Sequence, residues 1–418
     1  MKTNHQYTAY FCGCFIAKIE VDASVLTKEG WSLEDVSIIQ TDKFRHIYYE
    51  EFLNFCAAQS SKEGCVAWQK ELNEEVPCED FQGEQKGYMI PSLHCYLLPF
   101  NIVIFSIEVT METTVLDDIK LVASNLREFL FPQSVKDSLL KLNELFTGQR
   151  KEKVREILEF GYRLKYFQVI CSDVDMDSMT ALERKRDLYQ LSTMERETSE
   201  WKTSFCNGYI ESAVKEHALS VFNNWDALSL LDTFTIRAFQ SVPLQDAFWR
   251  IQVYRMIYIQ SLFQKYYLQH LNQRFRATIS CKKSYNLDAL LSERQQYERL
   301  FQFHKIAYTF LPLLVDEAID KGLEIKEEEA LLSSHIEREH DRHQAQNERV
   351  VSRLLMVISG LAAFSAIWDI SCLVNEIFPY VRFLGSARRG YFGVSSLIFL
   401  VLLLILIIVF YRMRRKKY

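Results

Sequence analysis

The sequence predicts an α+β cytosolic domain, then a long α-helical stalk and two C-terminal transmembrane helices, mostly α in total. Three observations carry this. Tyr391 to Tyr411 is 21 residues long and has no charged side chain. Leu323 to Arg353 holds no Gly or Pro and runs into a second apolar stretch, Leu354 to Phe378. The β-forming runs gather in the first 175 residues. A 21-residue apolar helix rises about 1.5 Å per residue and matches a hydrocarbon core of roughly 30 Å.

Element by element, Gln6 to Lys18 reads as a strand, as do His94 to Leu98 and Asn101 to Thr110 around Pro99. Residues 31–86 read as a helix, Phe44 to Ala58, among polar loops. Asp117 to Phe129 is a helix stopped by Pro132, followed by helices Ser134 to Phe146 and near Lys151 to Phe160. Arg163 to Cys171 closes this part as a strand. Beyond residue 178 the sequence shows no clear strand. Ala247 to Phe275 is an aromatic helix with apolar residues on more than one face, so it should pack on two sides. Leu287 to Leu311 reads as one more helix, with Pro312 bending or ending it.

The expected organisation is therefore an α/β domain over 1–175 and a helical region over 176–322. A stalk helix follows over 323–353, with a first transmembrane helix over 354–378. An outer loop over 379–390, a second transmembrane helix over 391–411 and a basic tail over 412–418 complete the chain. A single helix from 323 to 378 would be roughly 84 Å long at about 1.5 Å per residue. The alternative is two helices broken near Gln344 to Asn347. Five of the last seven residues are Arg or Lys. The short loop makes the spans a hairpin, and basic flanks stay inside, so both termini should be cytosolic and the chain should lie in the cell's plasma (inner) membrane. Met1 to His5 starts no apolar run, so no signal peptide is expected. Ten scattered cysteines with no CxxC pair suit reduced thiols. Cys12-Gly13-Cys14 reads as strand residues or, alternatively, as a metal contact.

Net charge is −5, which argues against a general nucleic-acid binder. There is no Walker loop, no Gly-rich dinucleotide turn and no HExxH, so no catalytic site is expected. The first apolar span carries the unusual chemistry. Ile358, Ala362, Ser365, Asp369, Cys372 and Glu376 recur at steps of three and four and share one helical face, with Asn375 beside them. An uncompensated acid at mid-bilayer costs about 2.5–3.5 kcal/mol, so Asp369 should face protein or water. A small and polar stripe ending in acids suits a pore-lining helix in a symmetric oligomer, where rings of carboxylates attract cations. The plainer reading is that Asp369 and Glu376 mark the outer interface of an ordinary membrane helix.

This layout resembles the CorA-type divalent-cation transporter family. The shared parts are a large N-terminal cytosolic domain, a long stalk helix entering the first span, a short outer loop, a second span and the basic tail Arg412 to Tyr418. The resemblance implies a homopentamer in the lipid bilayer, a pore lined by the first span, and Mg²⁺ or another divalent cation as the permeant ion. The family's Gly-Met-Asn signature is absent, and the matching region reads Asn375-Glu376-Ile377-Phe378-Pro379. The chain is also similar to a divergent CorA-like subgroup associated with type III CRISPR systems. That likeness implies an antiviral channel opened by a nucleotide messenger, S-adenosylmethionine joined to AMP (SAM-AMP). A phosphate-bearing ligand needs cationic donors. The basic clusters are Arg150, Lys151, Lys153 and Arg155, and Arg184, Lys185 and Arg186, although solvated helix faces explain both as well. A membrane-anchored interaction protein without conduction is the rival class.

Overall fold

The first strand, β1 (His5–Ile16), lies at the centre of one sheet, fifth of nine from either edge. This computed structural model describes residues 4–377 and Val401, apart from 37–38, 40, 80–84, 175–178, 195–205, 223, 240–243 and 281–284. The chain divides into two units, Met1–Leu332 and Ser333–Tyr418.

In the first unit, β1 is followed by α1 (Ala23–Lys28), β2 (Ser32–Leu33), α2 (Asp42–Arg45) and α3 (Glu50–Cys56). The single helix expected from Phe44 to Ala58 is thus two short ones. The break admits a bridge between Tyr48 and Ala307. Next come β3 (Val66–Glu79), β4 (Gln85–Leu97) and β5 (Ile102–Thr113). β3 corrects the expectation of loops there. Its apolar residues Val66, Trp68, Leu72, Val76 and Cys78 alternate toward the core. Its other face carries Gln69, Glu71 and Glu75, and a bulge at Glu71–Glu74 carries Asn73 at φ 49°.

The β4–β5 turn puts Phe100 (φ 59°) and Asn101 (φ 61°) in consecutive left-handed conformations, the geometry of a tight two-residue hairpin. A phenylalanine there costs about 1–2 kcal/mol. Its ring packs on Tyr267, centroids 4.5 Å apart, which offsets the strain.

α4 (Leu116–Arg127) and α5 (Gln133–Thr147) follow as expected. The helix expected from Lys151 to Phe160 is only a 3₁₀ turn at Val154–Ile157. β6 (Lys165–Ser172) pairs with β1 on one side. Then come α6 (Ala181–Thr193), α7 (Asn207–His217), β7 (Ala218–Phe222), β8 (Trp225–Leu230) and β9 (Thr233–Phe239). These three strands overturn the expectation of an all-helical region after 178. β9 runs parallel to β6, so the sheet order is β2-β3-β4-β5-β1-β6-β9-β8-β7. The division expected at residue 175 therefore falls inside one sheet. The strands escaped notice because their interiors hold charge. Arg237 in β9 and Asp226 in β8 are both nearly inaccessible and pair at 3.1 Å.

Strand alternation gives the sheet two unlike faces. One is apolar: Tyr7, Phe11, Phe15, Leu93, Phe105, Ile107 and Val109 meet Ile119, Val122 and Leu126 of α4 and Val135, Leu139 and Phe146 of α5. The other is covered by α8 (Leu244–Ser280), the aromatic helix. Tyr258 lies 5.9 Å from Phe167, and Tyr266 stacks on Phe160 at 5.6 Å. Cys12 and Cys14 sit buried as thiols in β1, with Gly13 between them leaving room for the Phe105 ring.

α9 (Tyr285–Leu300) packs on α8 through Tyr297 and Tyr267, 4.2 Å apart. It ends eleven residues earlier than the expected Leu311, because 301–309 turns back to pair with Ile47 and Tyr49. Pro312 falls in the first turn of α10 (Phe310–Gly322), where it is tolerated. Glu324 then takes a left-handed conformation (φ 55°), and α11 runs from Ile325 to Ile377.

Candidate functional site

α11 begins among charges and ends among apolar residues. In the first unit its opening turns are anchored from two helices. Lys265 Nζ of α8 lies 3.2 Å from Glu328 Oε1, and Gln269 Nε2 donates to the same oxygen at 3.0 Å. Gln302 Nε2, just past α9, donates to Glu329 Oε1 at 3.0 Å. Ile325 and Leu332 are buried beside these bonds. The anchoring residues stand in a run of three glutamates, Glu327 to Glu329, and the run alone does not show which of them is bonded.

In the second unit, Glu348–Ile370 is long and apolar enough to cross a membrane, with mean hydropathy 2.0 and none of it buried. Leu354, Leu355, Val357, Ile358, Leu361, Trp368 and Ile370 are all about half exposed or more. A contiguous apolar surface of this size marks contact with lipid or protein. Ala362, Ser365 and Asp369 are exposed on the same helix. Cys372, Asn375 and Glu376 also belong to it, and their side chains lie outside the described residues. The loop over 379–390, the second span over 391–411 and the tail lie outside them too, save Val401.

The basic residues expected to hold phosphate have different fates. Arg150 and Lys151 line a surface groove of about 680 Å³ beside α5, with Gln133, Asp137, Lys141, Glu144 and Glu152. Lys141 there is paired with Glu29 at 2.5 Å. Lys153 is exposed. Arg155 packs over the Phe129 ring and reaches Glu128 at 3.7 Å. Arg184 of α6 is committed to the buried Asp226 at 2.8 Å and, with Arg237, stacks against Phe239. Arg186 lies on the same helix.

Between the sheet and α8 lies a charged cluster that sequence reasoning missed. His94 of β4 is 2% exposed. Its Nδ1 lies 3.2 Å from Glu34 Oε2 and its Nε2 lies 3.4 Å from Glu108 Oε2. Ser92 Oγ lies 3.0 Å from His94 Nε2 and donates to Glu108 Oε2 at 2.5 Å. Tyr10 OH donates to Glu108 Oε1 at 3.0 Å. Arg255 of α8 pairs with Glu34 and lies over the Tyr10 ring. β-sheet register makes this possible: Tyr10 sits opposite Glu108 and His94 opposite Ser106.

Burial opposes ionisation of both glutamates, yet Arg255 and His94 hold Glu34 and Glu108 down to about 2. Burial and Arg255 push the His94 pKa down, but its two glutamates prevail and raise it. Ser92, His94 and Glu34 have the order of a hydroxyl–imidazole–carboxylate relay. Ser92, however, is 1% exposed and gives its proton to Glu108. The cluster is thus an enclosed brace joining the sheet to α8. Its trace in the sequence was polar residues at alternate positions in β4 (Ser92, His94) and Arg255 in the apolar middle of the aromatic helix. Among the described residues no group of three or more His, Cys, Asp or Glu side chains is arranged to hold a metal ion, the Glu34–His94–Glu108 cluster included.

Neither protein-family models, curated proteins nor solved structures show a match to this chain.

Proposed function

We propose that this chain is a subunit of an oligomeric membrane ion channel of CorA-like plan, with α11 as the pore-lining helix. One observation carries the reading. The same helix is bonded at its root to the sheet-bearing unit through Glu328 and Glu329, and farther on bears the unburied apolar segment ending near Asp369. A movement of α8 or α9 would act directly on that helix. In this reading Ile358 and Leu354 or Leu355 form the apolar constriction, and Asp369 and Glu376 supply outer acidic rings that favour cations. The gate opens when a ligand binds the sheet-bearing unit. A nucleotide messenger such as SAM-AMP fits a CRISPR-linked role, and the groove with Arg150 and Lys151 is the first place to seek its phosphates.

The test is cation flux from liposomes loaded with the full-length protein. Asp369→Asn together with Glu376→Gln should reduce cation selectivity and conductance at least severalfold. Unchanged flux defeats the pore assignment. No flux from the unaltered protein under any messenger favours the rival, a membrane-anchored interaction protein.

A further inference from the structure

α10 carries two carboxylates one turn apart, Asp316 and Asp320, beside α8 and just before the root of α11. Asp320 Oδ1 is fully enclosed and has no hydrogen-bond partner. Ser261 of α8, wholly buried, is the hydroxyl that bears on this carboxyl. An enclosed carboxylate oxygen left without a donor is costly when the acid is charged and comfortable when it carries a proton. The surroundings offer little compensation. Lys326 of α11 is the cation that bears on Asp320, while Glu317 adds like charge. Tyr297 of α9 feels the Asp320 charge. Lys265 of α8 is taken by Glu328, Arg237 of β9 by Asp226, and Lys321 by the Glu216 carbonyl of α7. Among α7's other ionisable groups are Lys215 and His217. β7 has no ionisable side chain, and β8 presents the neutral Ser229 to Gly322, where any Cβ would overlap it.

We propose that Asp316 and Asp320 form a proton-operated clasp that seats α10 on α8 and thereby sets how tightly the root of α11 is held. This holds whether or not the chain conducts. Burial pushes the Asp320 carboxyl up to about 6, against the pull of Ser261 and Lys326. Burial and the charge of Asp320 raise Asp316 well above the usual range. Because the seated form holds these protons more tightly than solvent-exposed α10, seating is complete below the ordinary aspartate range, near 4. It is lost as pH rises through about 6.

Hydrogen exchange of the full-length protein in lipid nanodiscs, corrected for intrinsic exchange rates, tests this between pH 5 and 8. Protection of 310–332 should fall across about pH 6, by about tenfold per pH unit for each carboxyl that ionises. Asp320→Asn should remove that fall and keep the low-pH protection. Ser261→Ala, which removes a group that favours the charged acid, should move the midpoint to higher pH. Protection that is flat with pH in the unaltered protein overturns the clasp. So does a fall that persists in Asp320→Asn, or, should that variant not fold, a midpoint that Ser261→Ala leaves in place.

Discussion

α8 and the apolar part of α11 are both helices without a clear polar stripe, and they satisfy that condition in opposite ways. From Val253 to Leu268 every residue of α8 is buried. The enclosed set includes Arg255, Gln260, Ser261, Gln264 and Lys265. Glu348–Ile370 of α11 has no buried stretch. A helix apolar all round belongs inside a protein or inside a bilayer, and the two are told apart by what breaks the apolar pattern. In α8 the interruptions are polar groups, several with a partner already in place: Arg255 with Glu34, Lys265 with Glu328. In α11 between Leu354 and Trp368 there is no charge at all. A protein interior can supply a counter-ion at a fixed position, and lipid cannot.

Placing the same charge on each helix is the strongest way to break this comparison. Leu262→Arg in α8, at a fully buried site, should destabilise the sheet-bearing unit by more than about 4 kcal/mol and abolish its cooperative unfolding. Leu361→Arg in α11 should leave that unit's urea midpoint unchanged and cost about 2.5–3.5 kcal/mol of membrane insertion, read as a smaller membrane-bound fraction. Equal effects on unfolding would place both helices in one core.

Next in size is Arg255→Met. It leaves Glu34 charged and enclosed without its partner, and should cost about 3–5 kcal/mol in denaturant unfolding. A loss below about 1 kcal/mol would mean that α8 is held by its aromatic contacts alone.

The smallest effect is a pH dependence. The His94 pKa is raised in the folded chain, so its share of stability is complete below the ordinary histidine range and is lost as pH rises through the raised value. Glu34 and Glu108 act oppositely. Their pKa values lie near 2, so their share is present above about 4.5 and is lost as pH falls toward 2. The brace should therefore be firmest between these limits. His94→Gln should flatten the alkaline decline in thermal midpoint and shrink the acid decline to the share that Arg255 gives Glu34.

Local patterns made much of the fold legible. β1, β5 and β6 are dense in β-formers, and α4 and α5 carry clear apolar stripes with Pro132 between them. β3 was not legible, because an edge-side strand that shows Gln69, Glu71, Asn73 and Glu75 on one face looks like a polar loop. β8 and β9 were hidden for the converse reason. Asp226 and Arg237 read as surface residues until each is seen to neutralise the other. Of the residues proposed to line a pore, Ile358, Ala362, Ser365 and Asp369 stand on one described helix. The phosphate candidates divided. Arg150 and Lys151 border a groove, whereas Arg184 is spent on Asp226.

Helix against strand in β1, β5, β6, α4 and α5, and the apolar segment of α11, follow from the sequence by itself, because periodicity and hydropathy are local properties. Which charges are functional and which are structural was decided only by tertiary structure. Glu34, His94, Glu108 and Arg255 come from four separate stretches, and Asp320 faces a serine 59 residues away. Their chemistry is set by partners and burial, and neither is written in the residues adjacent to them.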